Sequence, residues 1–359
     1  MRKALLSITV MLLLSTTLTM AQTNVIKRTA SKSNNYGVSY FLPKSIIEIK
    51  VFASKTEEKA GPYYKYAEKF LGITNAIVEN KTYYELDGVQ VRTKGIPDKD
   101  KSYLVELKPG TTAPFVYLTE SGLICTINAE YIPPVENTVA NEKPAAASNS
   151  KLSPETLFTE EYLRAGSTAK MAEIAAKQIY KIRESRMDIL TGNADNAPRD
   201  GTAMKLVLEQ LEAQEKTLVE LFTGTSLQSN KTVTFNVEAN AEMEKEIIFR
   251  FSKHLGVVGS EDLSGQPVYM NLRKIETVDL LFVDTKKKDK NSDKGIFYNI
   301  PGRGEVEIFY GTNRIYKGAF DITQFGTTQV LANPIFENKK SPVKVYFYPE
   351  TGGIKKIEQ

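Results

Sequence analysis

Apolar residues recur at steps of three and four through two stretches near the middle of the chain. The first carries Met171, Ile174, Ala175, Ile179, Ile182, Ile189 and Leu190; the second carries Met204, Val207, Leu208, Leu211, Leu218, Leu221 and Phe222. That spacing places each set on one face of a 3.6-residue helix. Ser167 or Thr168 can cap the first helix and Asp200 or Thr202 the second, while each ends in Thr-Gly, at Gly192 and Gly224. Pro198 in the connection prevents one continuous helix. The pattern predicts an antiparallel helical hairpin. Two helices cannot bury both stripes on each other, so the hairpin is expected to lie against a sheet. Arg186 and Glu215 interrupt the stripes. A register set from the helix ends puts Glu215 opposite Gln178, and Arg186 opposite Val207 and Leu211. Arg186 then either extends its stem to water or pairs with a carboxylate from outside the hairpin.

A period of two dominates on either side of the hairpin. Upstream, two strands flank Pro43 within 36–54, and Pro62 opens a short helix over 62–71 with Tyr63, Tyr66 and Phe70 on one stripe. That stripe reads as a helix packed on a sheet rather than as a platform for sugar rings. Strands follow at 82–86, 89–93 and 103–107, then a hairpin over 115–132 turning at Glu120-Ser121-Gly122. Downstream, strands at 231–238 and 246–251 lead into a glycine-punctuated meander that runs to the end of the chain. Residues 24–35 are polar and read as a disordered lead-in; 133–154 lose periodicity and aromatics. Ser153-Pro154-Glu155 opens a short helix that ends near Gly166.

The expected fold class is α+β: two antiparallel β-rich units with a central antiparallel two-helix hairpin packed against them. The expected division is an export signal over 1–21, an N-terminal β-rich domain over 36–135 containing the 62–71 helix, and a linker over 136–154. The helical segment then occupies 155–224 and a C-terminal antiparallel β-rich domain 225–359. The linker should be the first place a protease cuts. Lys69-Phe-Leu-Gly-Ile and Lys253-His-Leu-Gly-Val echo one another, too briefly to establish a duplication.

Charge and cysteine content narrow the picture. Met1-Arg2-Lys3, an apolar run over 4–14 and small Ala21 before Gln22 have the form of a cleavable secretory signal. The expected location is the periplasm or the cell surface and beyond, with no transmembrane segment in the mature chain. Lysine and arginine number 47 against 43 acids, interspersed along the chain, which gives no reason to expect nucleic acid as a partner. Cys125 is the only cysteine, so no internal disulfide is available and stability must come from buried core; its Leu-Ile-Cys-Thr-Ile context is that of a small buried hydrophobe.

Few chemistries survive. His254 is the only histidine, which removes histidine-rich zinc sites, and no nucleophile elbow accompanies it for a serine triad. No phosphate-binding glycine loop occurs. Asp289-x-Asn291-x-Asp293 alternates oxygen ligands as a calcium loop does, but Lys294 stands where the loop needs glycine and Ile300 where it needs glutamate. A solvated hairpin tip is the expected reading. No catalytic, cofactor-binding or metal-ligating residue can be assigned, and no cofactor is expected.

The stretches AGPYYKYAEKFLG (60–72), AAKQIYKIRESRMDILTG (175–192), FRFSKHLGVVGSEDLSGQPVY (249–269) and FYPETGGIKKI (347–357) carry a resemblance. With them the chain resembles a DUF4831-like family, a domain of unknown function in exported envelope proteins of Gram-negative anaerobes. The resemblance implies a shared fold and compartment and no activity. The expected function is that of an exported, non-enzymatic binding or structural module whose partner is an unidentified envelope protein or glycan. The alternative is a glycan-directed hydrolase working through paired carboxylates.

Overall fold

A computed structural model describes residues 24–27, 37–106, 115–133, 153–195, 200–275, 295–332 and 343–359. The expected export signal, the linker apart from its last two residues, Pro198 and the Asp289–Asp293 loop lie outside them.

The chain is mostly β. Its strands are β1 (Asn24–Lys27), β2 (Gly37–Lys59), β3 (Lys81–Glu106), β4 (Val116–Leu118), β5 (Ile124–Ile127), β6 (Thr225–Glu238) and β7 (Met243–Ser252). There follow β8 (Gly256–Val258), β9 (Gln266–Ile275), β10 (Gly295–Tyr310), β11 (Asn313–Ala332), β12 (Lys344–Phe347) and β13 (Ile354–Glu358). They form three antiparallel sheets, ordered β1-β3-β2-β6, β11-β10-β9-β7-β8 and β13-β12-β5-β4. The helices are α1 (Ala67–Leu71), α2 (Glu160–Leu163), α3 (Thr168–Thr191) and α4 (Gly201–Thr223). Three sheets therefore stand where two β-rich units were expected. The first and third each combine strands from both sides of the helical segment, because β6 pairs with β2 and β12 with β5.

Several expected breaks are instead continuations. The candidate strands on either side of Pro43 are one strand, with the proline at a register shift and paired with Pro97. The strands expected at 82–86, 89–93 and 103–107 are likewise one strand, β3. Asp87 and residues 98–101 drop out of register as bulges, where glycine and proline suggested loops. Part of the expected disordered lead-in is strand β1, paired with the end of β3.

Two long ribbons, β2/β3 and β10/β11, run through two cores. On one face of β2, Ile47, Ile49, Val51 and Ala53 meet Phe249, Val268, Met270, Leu272, Val306 and Ile308 of the second sheet. Further along the same ribbons, Tyr40, Leu42, Tyr103 and Val105 meet Ile296 and Leu331, and the third sheet closes this core with Ile124, Ile127, Val345 and Phe347. Between the cores lies a seam of buried polar groups. The Ser45 N–H donates to Thr323 Oγ1 and Gln324 Oε1, both at 3.0 Å, and Gln324 Nε2 donates back to the Ser45 carbonyl at 2.8 Å. Asn299, 1 % exposed, donates from Nδ2 to the carbonyls of Pro43 (3.1 Å) and Thr351 (3.0 Å), and its Oδ1 accepts from Thr328 Oγ1. The Tyr40 hydroxyl accepts from the Phe297 N–H at 2.9 Å, and burial pushes its pKa up.

The helical hairpin was correctly placed at the centre of the chain, capped by Ser167 and Asp200 and closed by left-handed Gly192. The expectation that it packs against the sheets is overturned. Its buried residues, Ala172, Ala175, Ile179, Leu218 and Phe222 among them, are covered by Tyr63, Ala67, Leu157, Phe158 and Tyr162 from short helices and turns. Among the described residues no strand residue belongs to that cluster. The two faces of the sandwich are already filled by each other, and the short helices, richer in aromatics, cap the hairpin stripe instead. Tyr63, Tyr66 and Phe70 thus pack on the hairpin and not, as expected, on a sheet, Tyr63 buried and the other two half-buried. At its root the hairpin is bonded by the segment that joins β2 to β3: Tyr63 N donates to the Leu221 carbonyl (2.9 Å) and Ile77 N to the Thr223 carbonyl (2.8 Å). Gly224, at φ +80°, is the single residue between α4 and β6, and a Cβ there would overlap the Lys59 carbonyl.

The polar seam predicts a specific sensitivity. Asn299→Ala strands two buried carbonyls and should lower stability by about 1–3 kcal/mol in urea unfolding. Exposed Thr234→Ala should change it by less than about 0.5 kcal/mol.

Candidate functional site

The root half of the hairpin is packed and the far half is not. From Arg183 to Lys216, among the described residues, nothing is buried, whereas Ile182 and Thr217 on either side are. Good helix formers such as Met, Leu, Lys and Glu fill this far half, and Lys205 lies four residues before Glu209, so its helicity does not depend on burial. Met187 (60 % exposed) and Leu190 (61 %), three residues apart, share one side of α3, and Leu206 (57 %) stands on α4. An exposed leucine is unremarkable alone. Met187, Leu190 and Leu206 together on one two-helix projection make an arm with uncovered apolar surface.

At the base of the arm sits an ionic cluster. Arg183 Nε donates to Glu215 Oε1 at 2.7 Å and Arg186 Nη1 to Glu215 Oε2 at 3.1 Å. The Glu215 side chain is 15 % exposed and the two guanidinium-bearing side chains about 40 %. Arg186 therefore pairs inside the hairpin, not with an outside carboxylate. Gln178, expected opposite Glu215, instead donates to the Leu157 carbonyl. Glu215 lies five to eight residues further along α3 than the helix-end register implied, roughly two turns.

The remaining candidates resolve as follows. Cys125 is fully buried, and burial pushes its thiol up to about 11, so it is a core residue and no nucleophile. His254 lies in the exposed turn between β7 and β8, where its backbone N–H donates to Ser252 Oγ. In the two echo segments Gly72 closes a helix and Gly256 a strand turn; both are left-handed, but the surrounding structure differs.

Carboxylates with shifted pKa values move down. Arg92, bonded at 2.5 Å, lowers Glu48 against the upward push of burial. At Glu307 burial pushes up, and Arg314 with Lys317 outweighs it. Such groups stay ionised and serve as ion-pair partners, the reverse of a general acid. An open depression of about 510 Å³ is lined by Glu160, Glu161, Arg164, Gly166, Lys170 and Ile174; its Glu160 is paired with Arg164. Among the described residues no three His, Cys, Asp or Glu side chains converge as metal ligands, and no helix is long and apolar enough to cross a membrane.

Residues 36–355 match the DUF4831 family, described as a domain of unknown function. The chain belongs to that family. No curated protein and no solved structure matches this DUF4831 chain.

Arg186→Ala in this DUF4831 protein should cost only about 0.5–1 kcal/mol, because Glu215 keeps Arg183 and the pair is half solvated. The Arg183→Ala/Arg186→Ala double variant should lose more than the sum of the singles, since it leaves a mostly covered carboxylate alone. A double-mutant cycle by urea denaturation measures the difference.

Proposed function

We propose that this protein is an exported, non-enzymatic module of the cell envelope that binds a protein partner through the far end of its helical hairpin. The observation that carries this reading is the change from packed to unpacked at Ile182 and Thr217, with Met187, Leu190 and Leu206 exposed beyond it. Apolar aliphatic side chains on helices suit a partner helix or groove better than a glycan, which takes aromatic stacking and dense hydrogen bonding. Covering the exposed part of three such side chains supplies about 3–5 kcal/mol. A micromolar complex needs about 8 kcal/mol net, so the charged flanks of the arm must also contribute. Export rests on the basic and apolar leader ending at Ala21.

The hydrolase reading needs one carboxylate raised and one ordinary, close together in a cleft. Glu48 and Glu307 are held below the usual carboxylate range by their arginine and lysine partners, which suits them to ion pairing and not to the role of that raised acid. Purified protein should release nothing from peptidoglycan or glycans; turnover abolished by replacing one Asp or Glu would establish the hydrolase.

A photo-reactive residue at Met187 or Leu206, introduced in the producing cell, should join one discrete partner, whereas one at exposed Lys99 should not. Leu206→Glu should weaken that complex at least fivefold, about 1 kcal/mol. Equal labelling at all three positions overturns the arm as the binding surface. Terminal sequencing of the exported chain should begin at Gln22, and a chain in the envelope that still carries Met1 overturns the cleavage.

A further inference from the structure

A second surface is independent of the arm. Strand β6 ends its sheet, and its 14 residues pair with β2 without a register shift from Thr225 opposite Lys59 to Glu238 opposite Ile46. Among the described residues no backbone group of β6 bonds to anything but β2. Alternate residues of an edge strand turn their N–H and C=O groups away from the sheet, so about seven residues of β6 present backbone that no described residue pairs. Exposed edges are normally guarded by bulges, prolines or several charges. Between Thr225 and Val237, β6 has no proline, no bulge and one charge, Lys231.

Its side chains are as unusual. Phe235 and Val237 join the sandwich core. On the opposite face Ser226, Gln228, Asn230, Thr232, Thr234 and Asn236 are all exposed, and all are uncharged hydrogen-bonding residues. Leu227, on the core side but beyond the core, is 62 % exposed.

We propose that β6 is a self-pairing edge: two copies of this chain join β6 to β6, antiparallel about a two-fold axis, into one eight-stranded sheet. The occupant is a second copy because the strand is complementary to itself. A two-fold axis keeps each side chain on its own face, so only every second register is allowed. Two of these give the greatest overlap. An axis at Lys231 sets that lysine against its own copy, which like-charge repulsion disfavours. An axis at Thr232 sets Asn230 opposite the second copy's Thr234 and Gln228 opposite its Asn236. It sets Lys231 opposite Val233, and exposed Leu227 opposite Val237. Every outward pair then joins residues able to hydrogen-bond, and Leu227 gains an apolar neighbour. β11, the other long edge strand, lacks this property: its pairing with β10 has two register shifts, and it carries charges at Arg314, Lys317 and Asp321.

Sedimentation velocity of the purified chain between about 1 and 100 µM should show a reversible monomer–dimer equilibrium. Thr232→Lys, which puts two charges at the axis, should weaken dimerisation at least tenfold while leaving the unfolding midpoint unchanged. Directly opposed residues of antiparallel strands have Cα atoms about 4.5–5.5 Å apart, within disulfide range. Thr232→Cys should therefore give a covalent dimer with diamide, which takes up the two hydrogens lost by the thiols. Asn230→Cys should not, and neither should the unaltered chain, whose only thiol, Cys125, is buried. A chain that stays monomeric at 100 µM overturns the proposal. So does a dimer indifferent to Thr232→Lys, or one that cross-links through Asn230→Cys in place of Thr232→Cys. The arm variant Leu206→Glu should leave this equilibrium unchanged, so failure here and failure of the arm reading are separable.

Discussion

A ribbon that leaves one hydrophobic core and enters another must cross a zone where neither core covers it and no straight ladder can follow the bend. Here both long ribbons make that crossing at the same level. β2 shifts register at Pro43, and β10 shifts between Ile300 and Gly302 around Pro301. Each shift frees backbone groups inside the protein, where an unpaired group costs about 1–3 kcal/mol. Ser45, Thr323, Gln324, Asn299 and Tyr40 supply the missing partners. The backbone bends because side chains replace the ladder. Gly326 completes the crossing, since any Cβ there would overlap the Ile300 carbonyl. The third sheet depends on the same joint: its closing turn is held by Asn299, whose N–H donates to the Gly352 carbonyl and whose amide donates to that of Thr351.

The helical body obeys a different economy. Its core is a separate cluster, and its link to the sheets runs through backbone bonds at Leu221 and Thr223 and through tight glycines at 61 and 224. Because only the root half of the hairpin has short helices to cover it, the far half relies on helix propensity and on the Arg183–Arg186–Glu215 cluster for rigidity. The cluster sits where packing stops. Two half-solvated arginines on one carboxylate add little stability, but they hold the two helices in register beyond the last buried residue.

Local pattern revealed what local physics determines. The hairpin, its caps at Ser167 and Asp200, the β4–β5 turn at Gly122 and the burial of Cys125 were legible because periodicity, capping chemistry and turn glycines act within a few residues. Length of strand was not. Asp87-Gly88 and residues 97–101 have the composition of loops, and the partner strand keeps them in one ladder with Asp87 and 98–101 as bulges, a tertiary effect that a single sequence does not display. The pairing of β6 with β2, across some 170 residues, was invisible for the same reason. The arm was half legible: its apolar stripes showed that two helices could not satisfy each other, but the inference that a sheet must cover them assumed the sheet faces were free. They were occupied by one another. Leu227 carried a signal that was missed, an isolated leucine in an otherwise polar run.

The apolar faces of two sheets cover each other, and two of the surfaces left without an internal partner are contiguous. The arm and the β6 edge are joined through α4 and the single residue Gly224, so both unsatisfied surfaces belong to the segment from Arg183 to Glu238. Their unmet needs are of different kinds: aliphatic area on the arm, backbone hydrogen bonds and a ladder of uncharged polar side chains on the edge. One partner surface cannot meet both, because aliphatic side chains need a dry groove and an edge strand needs another strand. A rigid junction at Gly224, closed by Lys59 on one side and Ile77 on the other, fixes the angle between the two. Pairing two copies through β6 would therefore set two arms at a defined separation. A partner with two binding sites at that spacing would then be held far more tightly than a single arm could hold it.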